Sequence, residues 1–187
     1  MAMLLVVLGG AAFVSPTRAE EQALLRLDAV AMNLGGRTRL GIVEIAIERW
    51  STEEEREQLR AALIEKGSGA LLSTLHKIKP RAGYIQTRTS LGRDIQYARE
   101  EPLGDGGRRI IIATDRPMSF GELERDQSRV EYEFTFAEIR LTNGGKGVGK
   151  LVTPAKISWN KDTRTVEIRN WNLEPVRLTE VEVVGSK

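Results

Sequence analysis

Val130-Glu131-Tyr132-Glu133-Phe134-Thr135-Phe136-Ala137-Glu138-Ile139-Arg140-Leu141-Thr142-Asn143-Gly144 is the stretch whose reading decides the fold. Its first half alternates apolar and polar residues, the period of a strand with one buried face, so Val130, Tyr132, Phe134 and Phe136 are expected to point inward. The phase changes at Ala137-Glu138, after which Ile139 and Leu141 carry the apolar side, and a bulge there would keep both halves on one core. Asn143-Gly144 is a two-residue hairpin signal of the type I′ kind, with positive φ at both central positions. The return arm runs from Lys146 to Trp159, so residues 128–159 read as one long hairpin.

Strand-like runs flank this hairpin on both sides. Residues 84–88, 94–101 and 108–114 precede it, and 163–171 and 176–184 follow, with short turn-rich connectors that favour antiparallel neighbours. Ile110-Ile111-Ile112-Ala113 is continuous, as in a strand buried on both faces. Asp115 to Glu124 breaks the pattern and is expected to form a helical turn over an open end of the sheet. Further upstream, Val43, Ile45 and Ile47 alternate with Glu44 and Glu48 in a half-buried strand. Ser51-Thr52-Glu53-Glu54 then has the form of a capping box, and the carboxylates at 53, 54, 55 and 57 suit a helix N-terminus. That helix should close at Gly67, and a second should run over 69–78 on Leu71, Leu72, Leu75 and Ile78, stopped by Pro80. Residues 20–38 read as a short strand or a tether. The fold expected is α+β, mainly antiparallel β: a curved sheet, a sandwich or a partly open barrel of seven or eight strands with a two-helix insertion, 51–79, after the first strand. Residues 39–187 form a single β-rich domain.

At 187 residues, 41% hydrophobic and 29% charged, the chain is long enough to bury a sizeable core. The pI of about 9.0 invites a nucleic-acid reading. Its 28 basic and 26 acidic residues leave a formal charge of only +2, too little net field to draw a polyanion. Residues 1–19 read as a signal peptide: an apolar run from Met3 to Val14, a Ser15-Pro16 break, then Thr17-Arg18-Ala19 with a cut after Ala19. Against the usual pattern, no Lys or Arg precedes the apolar run. No other run reaches the roughly 20 apolar residues of a spanning helix, so no membrane span is expected in the mature chain. The chain has no cysteine, which rules out a disulfide framework, a thiol nucleophile and thiolate metal sites.

Gly144-Gly145-Lys146-Gly147-Val148-Gly149-Lys150 has the spacing of a phosphate-binding loop, but Leu151 stands where a hydroxyl would hold magnesium and no helix start follows. Gly147 and Gly149 are better explained by a large neighbour or a close backbone approach. The one histidine, His76, lies at the edge of a helical apolar stripe and reads as a surface or capping residue. Asp94 with Glu100, or Asp115 with Glu122, would serve as acid and base only if the fold brought each pair into one cleft. Ser90 lacks a nucleophile elbow. No catalytic residue, cofactor or metal is expected. The aromatics Tyr132, Phe134, Phe136 and Trp159 are the candidate ligand-binding residues, since a row of them can line an apolar cavity as well as fill a core.

Ile47-Glu48-Arg49-Trp50-Ser51-Thr52-Glu53-Glu54-Glu55-Arg56, Ser90-Leu91-Gly92-Arg93-Asp94-Ile95-Gln96-Tyr97-Ala98-Arg99, Ile112-Ala113-Thr114-Asp115-Arg116-Pro117 and Pro175-Val176-Arg177-Leu178-Thr179 resemble a group of uncharacterised exported bacterial proteins. The resemblance spans most of the chain from about Leu40 onward. It implies export, to the periplasm or the medium, and brings no catalytic residues. The expected function is a non-enzymatic β-rich protein that binds a small apolar ligand or lipid inside a curved sheet. The alternatives are an envelope module that binds another protein through a strand edge, and a hydrolase with an acidic site.

Overall fold

Leu25, Leu27, Ala29 and Ala31 repeat at every second position and are all buried, while Arg26, Asp28, Val30 and Met32 between them are more exposed. That period of two gives the strand one face for a core and one for solvent. The structure is a computed structural model and describes residues 23–33, 39–88, 92–118, 133–170 and 174–186. Its elements in chain order are β1 (Leu25–Asn33), β2 (Arg39–Ile47), α1 (Glu53–Lys66), α2 (Ser68–Lys77), β3 (Gly83–Thr87), β4 (Arg93–Pro102), β5 (Arg108–Thr114), β6 (Phe134–Leu141), β7 (Lys146–Asn160), β8 (Thr165–Asn170) and β9 (Val176–Ser186). The stretch 1–19 expected as an export signal, Val130 and Tyr132 of the hairpin's first arm, Ser90 and Glu122 lie outside the described residues.

Eight strands form a closed antiparallel barrel in the order β6-β5-β4-β3-β2-β1-β9-β7, and the β6–β7 ladder completes the ring. The ninth strand, β8, pairs with the far half of β7, from Ala155↔Asn170 to Asn160↔Thr165. Within the stretch read as a short strand or a tether, Leu25–Asn33 is a full barrel strand, and the helix pair follows the second strand of the ring. Closure needs local extra twist, and bulges provide it. The ladders slip at Gln96 in β4, around Thr153 and Pro154 in β7, and at Thr179 and Glu180 in β9, where Glu180 has φ 49°.

An eight-stranded barrel is just wide enough for side chains to fill it. Leu27, Ile45, Ile85, Ile112, Ile139, Leu151 and Leu178 belong to one continuous buried cluster inside, with Ala29, Ala31, Ala98 and Ala137 where space is short. Met118 plugs this cluster. Its N–H donates to Thr135 Oγ1 at 2.7 Å and Thr153 Oγ1 at 2.9 Å, and its carbonyl accepts from Thr153 Oγ1 at 3.0 Å. The described part of the loop expected as a helical turn, Asp115 to Met118, is thus a non-helical strap.

Three expectations about the central hairpin need correction. β6 keeps an unbroken register with β5, so no bulge falls at Ala137-Glu138. Ala137, Ile139 and Leu141 face the barrel interior, while Phe134 and Phe136 sit in a second cluster on the outer wall. Both faces of this strand are covered at its start, which is why the apolar phase changes along it. The turn is also different: positive φ falls on Gly145, at 76°, and Thr142 N–H bonds Lys146 O at 2.8 Å.

α1 forms where the sequence caps it, one residue later than expected, and α2 runs over Ser68–Lys77, one residue earlier than the 69–78 expected. Thr52 is the N-cap of α1, with Glu55 N–H donating to its Oγ1 at 3.2 Å and Glu55 Oε2 accepting from Thr52 N–H at 3.0 Å. Ser51 instead ties the chain to β4 through two bonds with the backbone of Ala98, at 2.8 and 3.1 Å. Arg49 closes the insertion at both ends. It pairs two-pronged with Glu55, both contacts at 2.9 Å, and donates from Nε and Nη2 to Pro80 O beyond α2 at 2.9 and 2.6 Å. Burial works against the ionised form of Glu55, but the Arg49 guanidinium and the Thr52 N–H outweigh it and hold its carboxyl below the usual range.

Two outcomes are expected. A Cβ at Gly147 would lie 1.9 Å from Arg140 O, a backbone atom, whereas one at Gly104 meets nothing within 4 Å. Gly147→Ala should therefore lower unfolding free energy by about 1–3 kcal/mol and Gly104→Ala by less than about 0.5 kcal/mol, read from urea transitions. Because Glu55 is held ionised below its unfolded value of about 4.3, its contribution is full above that pH and is lost as pH falls through the lowered folded value. Glu55→Gln should be less stable than the parent at pH 7, with the gap narrowing in thermal melts below about pH 4.

Candidate functional site

The outer wall of the barrel carries a second apolar surface because the strands at one end of the ring are apolar on both faces. Tyr97 of β4, Ala113 of β5, Phe134 and Phe136 of β6, and Val152, Ala155 and Ile157 of β7 all belong to it. The helix pair covers it. Leu59 and Leu63 lie one turn apart on α1, Leu71 and Leu75 one turn apart on α2, and all four are buried against that wall.

The cover is incomplete. Between α1, α2 and the strands lies an open apolar groove of about 280 Å³, walled by Leu59, Leu63, Leu71 and Leu75 above and Phe134, Phe136 and Ile157 below. Its outer lip is β8, whose Val166 and Ile168 are 50% and 36% exposed. Apart from Tyr97, the polar lining residues are Arg56 and Arg60, one turn apart on α1. Arg56 Nη1 donates to Glu57 Oε1 at 3.1 Å and to Glu53, and Arg60 Nη1 donates to Glu57 Oε2 at 3.3 Å. Burial pushes the Tyr97 phenol above its usual range, so its hydroxyl keeps its proton at neutral pH. Among the described residues the lining holds no carboxylate, imidazole or serine hydroxyl, so it can shield an apolar group from water, and the two guanidiniums at its lip are shared with Glu53 and Glu57.

Of the ligand-binding candidates, Phe134 and Phe136 line this groove from outside the barrel rather than from within it. Trp159 packs against the same cluster but is not part of the groove wall, and Tyr132 lies outside the described residues. Asp94 and Glu100 do not share a cleft, and Glu122, expected beside Asp115, lies outside the described residues. Asp94 binds Arg81 at 2.7 Å near the start of β4, whereas Glu100 binds Arg108 at 2.8 Å near its end. The glycine-rich run 144–150 is a turn followed by strand, without the helix a phosphate loop requires. Gly147 and Gly149 serve the close approach of β7 to β6, where a Cβ would meet Arg140 O and Glu138 O.

One pairing escapes a reading of neighbouring residues. His76 Nδ1 lies 2.6 Å from Asp115 Oδ2, joining residues 39 positions apart, with the imidazole 63% exposed and the carboxylate 9%. An ionised carboxylate only accepts, so Nδ1 donates and Nε2 faces away from Asp115. The pair sits in a separate polar pocket of about 250 Å³ with Lys79, Arg93, Asp94, Gln96 and Arg116. Gln96 is the extra residue of the β4 bulge and only 2% exposed, and its Oε1 has no hydrogen-bond partner among the described residues. A buried polar atom left so costs about 1–3 kcal/mol. Among the described residues no group of three or more metal-ligating side chains occurs.

Phe134 is fully buried at the floor of the groove and Phe136 only partly. Phe134→Ala should therefore cost about 3–5 kcal/mol of stability and Phe136→Ala less than half as much, measured by urea unfolding. No protein-family model, curated protein or solved structure matches the chain.

Proposed function

We propose that this protein is a non-enzymatic carrier for a small amphipathic anion, an acyl chain with a carboxylate head, held in the groove between the helix pair and the outer wall of the barrel. The observation that carries the reading is the pairing of an apolar trough with the two guanidinium groups of Arg56 and Arg60 at its lip. A volume of about 280 Å³ sits at the small end of ligand pockets, which run from about 300 to 1,000 Å³. That suits a medium-length chain. Helices that touch the barrel through a few leucines can part further than strands bound by ladders, so the groove has room to adapt. The signal-like composition of residues 1–19 supports a periplasmic or secreted location.

The second reading is an envelope module that recruits a protein by strand addition. It is favoured by β8, which ends the sheet order, pairs only with β7 among the described residues and exposes Val166 and Ile168.

Calorimetric titration of the chain with sodium dodecanoate, below its micelle concentration, tests the carrier reading. The expected result is saturable binding at one per chain. Ile168→Trp, which narrows the lip, should weaken it at least about tenfold, and Arg56→Ala with Arg60→Ala about threefold to tenfold. Absence of saturable binding, together with a clean apo mass for protein purified without detergent, would overturn the carrier and leave strand addition.

A further inference from the structure

β8 gives the molecule an edge that the ring itself does not have. The eight ring strands are paired on both sides, whereas β8 pairs with β7 alone among the described residues. An open edge is a template for another strand, and its side chains decide which strand fits. Proteins commonly blunt such edges with lysine, proline or a bulge. β8, Thr165-Val166-Glu167-Ile168-Arg169-Asn170, has no lysine and no proline, keeps an unbroken register with β7, and exposes both of its apolar side chains. In the β7–β8 ladder Trp159 stands opposite Val166 and Ile157 opposite Ile168, so β8 turns Val166 and Ile168 to the groove face and Glu167 and Arg169 to the other.

A second β8 is a strand whose charges match. Residues directly opposite in an antiparallel pair share a face, so a two-fold axis normal to the sheet passes through a residue rather than between two. With the axis at Glu167 that carboxylate meets its own copy, and like charges directly opposite are unfavourable. An axis at Val166 pairs Glu167 with Thr165 and leaves Arg169 beyond the end of the strand. With the axis at Ile168, isoleucine meets isoleucine, and Glu167 of each copy meets Arg169 of the other. That register also brings a carboxylate into a row of two cations, since Lys156 of β7 stands directly opposite Arg169. Within one chain Glu167 already accepts from Asn160 Nδ2 at 2.6 Å and Arg169 Nη2 at 2.7 Å, and a carboxylate with about four lone-pair sites has room for a second guanidinium.

We propose that this chain forms a two-fold dimer by antiparallel pairing of β8 with β8 of a second copy, with the axis at Ile168. The outer walls of two barrels then become one sheet, β6-β7-β8 followed by the second copy's strands in reverse. Their two grooves open toward each other across Val166 and Ile168 of each copy. The proposal rests on the open edge that the strand-addition reading uses, and it commits that edge to the chain itself; it does not rest on the acyl-chain reading.

Sedimentation velocity of the chain, purified without detergent, reads the dimer directly. Its mass should rise from that of one chain to that of two between about 1 and about 300 μM. Glu167→Arg alone, or Arg169→Glu alone, places like charges at both cross-copy contacts and should weaken the dimer at least about tenfold. Glu167→Arg together with Arg169→Glu rebuilds both pairs with the signs reversed and should restore the dimer to within about threefold of the parent. Such a rescue separates pairing from misfolding, because two damaging substitutions do not repair a fold. A mass of one chain at every concentration would overturn the dimer and leave strand addition to a chain of another kind. A dimer that the single variants leave intact, or that the double exchange fails to restore, would overturn the pairing at Ile168 and the proposal with it.

Discussion

β7 is the constraint on which the rest depends. Over 15 residues it pairs with β6 on one side and on the other with β9 and then β8, so one strand both closes the ring and carries the extension outside it. A closed ring leaves no unpaired edge, and the uneven width of a barrel must then be taken up by bulges and by glycine. The slip around Thr153 and Pro154 lets Thr153 join the interior plug while Ala155 and Ile157 turn to the outer wall. A one-residue shift exchanges the two faces, so this bulge creates the floor of the groove.

Two cores of different kinds follow. The interior is a fixed volume enclosed by backbone ladders, and its side chains are trimmed to fit, down to alanine at four places in β1, β4 and β6. The outer core is bounded on one side by two short helices held at their ends by Arg49 and along their length by leucines. Local opening draws on elements with few buried contacts, so the helix side of this outer core can part more readily than the barrel wall. Charge follows the same division. Ion pairs such as Arg99 with Glu53 tie α1 to β4 at the surface, where they add orientation and little stability.

Much of this was legible in the sequence because strands and caps are local. Strand-like runs between turn-rich connectors marked β3, β4, β5, β8 and β9 to within a few residues, and the acidic run from Glu53 marked the start of α1. What alternation cannot say is which face is inside once both are apolar. Alternation with one buried face points Phe134 and Phe136 inward, but the closed ring accommodates Ala137 there and sends the phenylalanines out. Ring closure itself depends on β1 meeting β9, Leu25 opposite Ser186, a pairing across almost the whole chain that no local pattern announces. The candidate sites divide in the same way. Leu71 and Leu75 were visible as a helical stripe, whereas their assembly with Leu59, Leu63, Val166 and Ile168 into one groove required the β7–β8 extension. His76 gave no sign of Asp115, because the strap that carries the aspartate reaches α2 only after β5 is in place.

The central claim is that the barrel interior is a filled core and that apolar ligands belong on its outer wall. Isoleucine methyls sit on both sides of that wall, with Ile157 and Ile168 in the groove and Ile45, Ile85, Ile112 and Ile139 inside. Methyl NMR of isoleucine-labelled protein during titration with dodecanoate reads the two sides at once. The account predicts saturating shifts at Ile157 and Ile168 with the interior methyls unmoved; saturating shifts at Ile112 and Ile139 with Ile157 and Ile168 unmoved would contradict it.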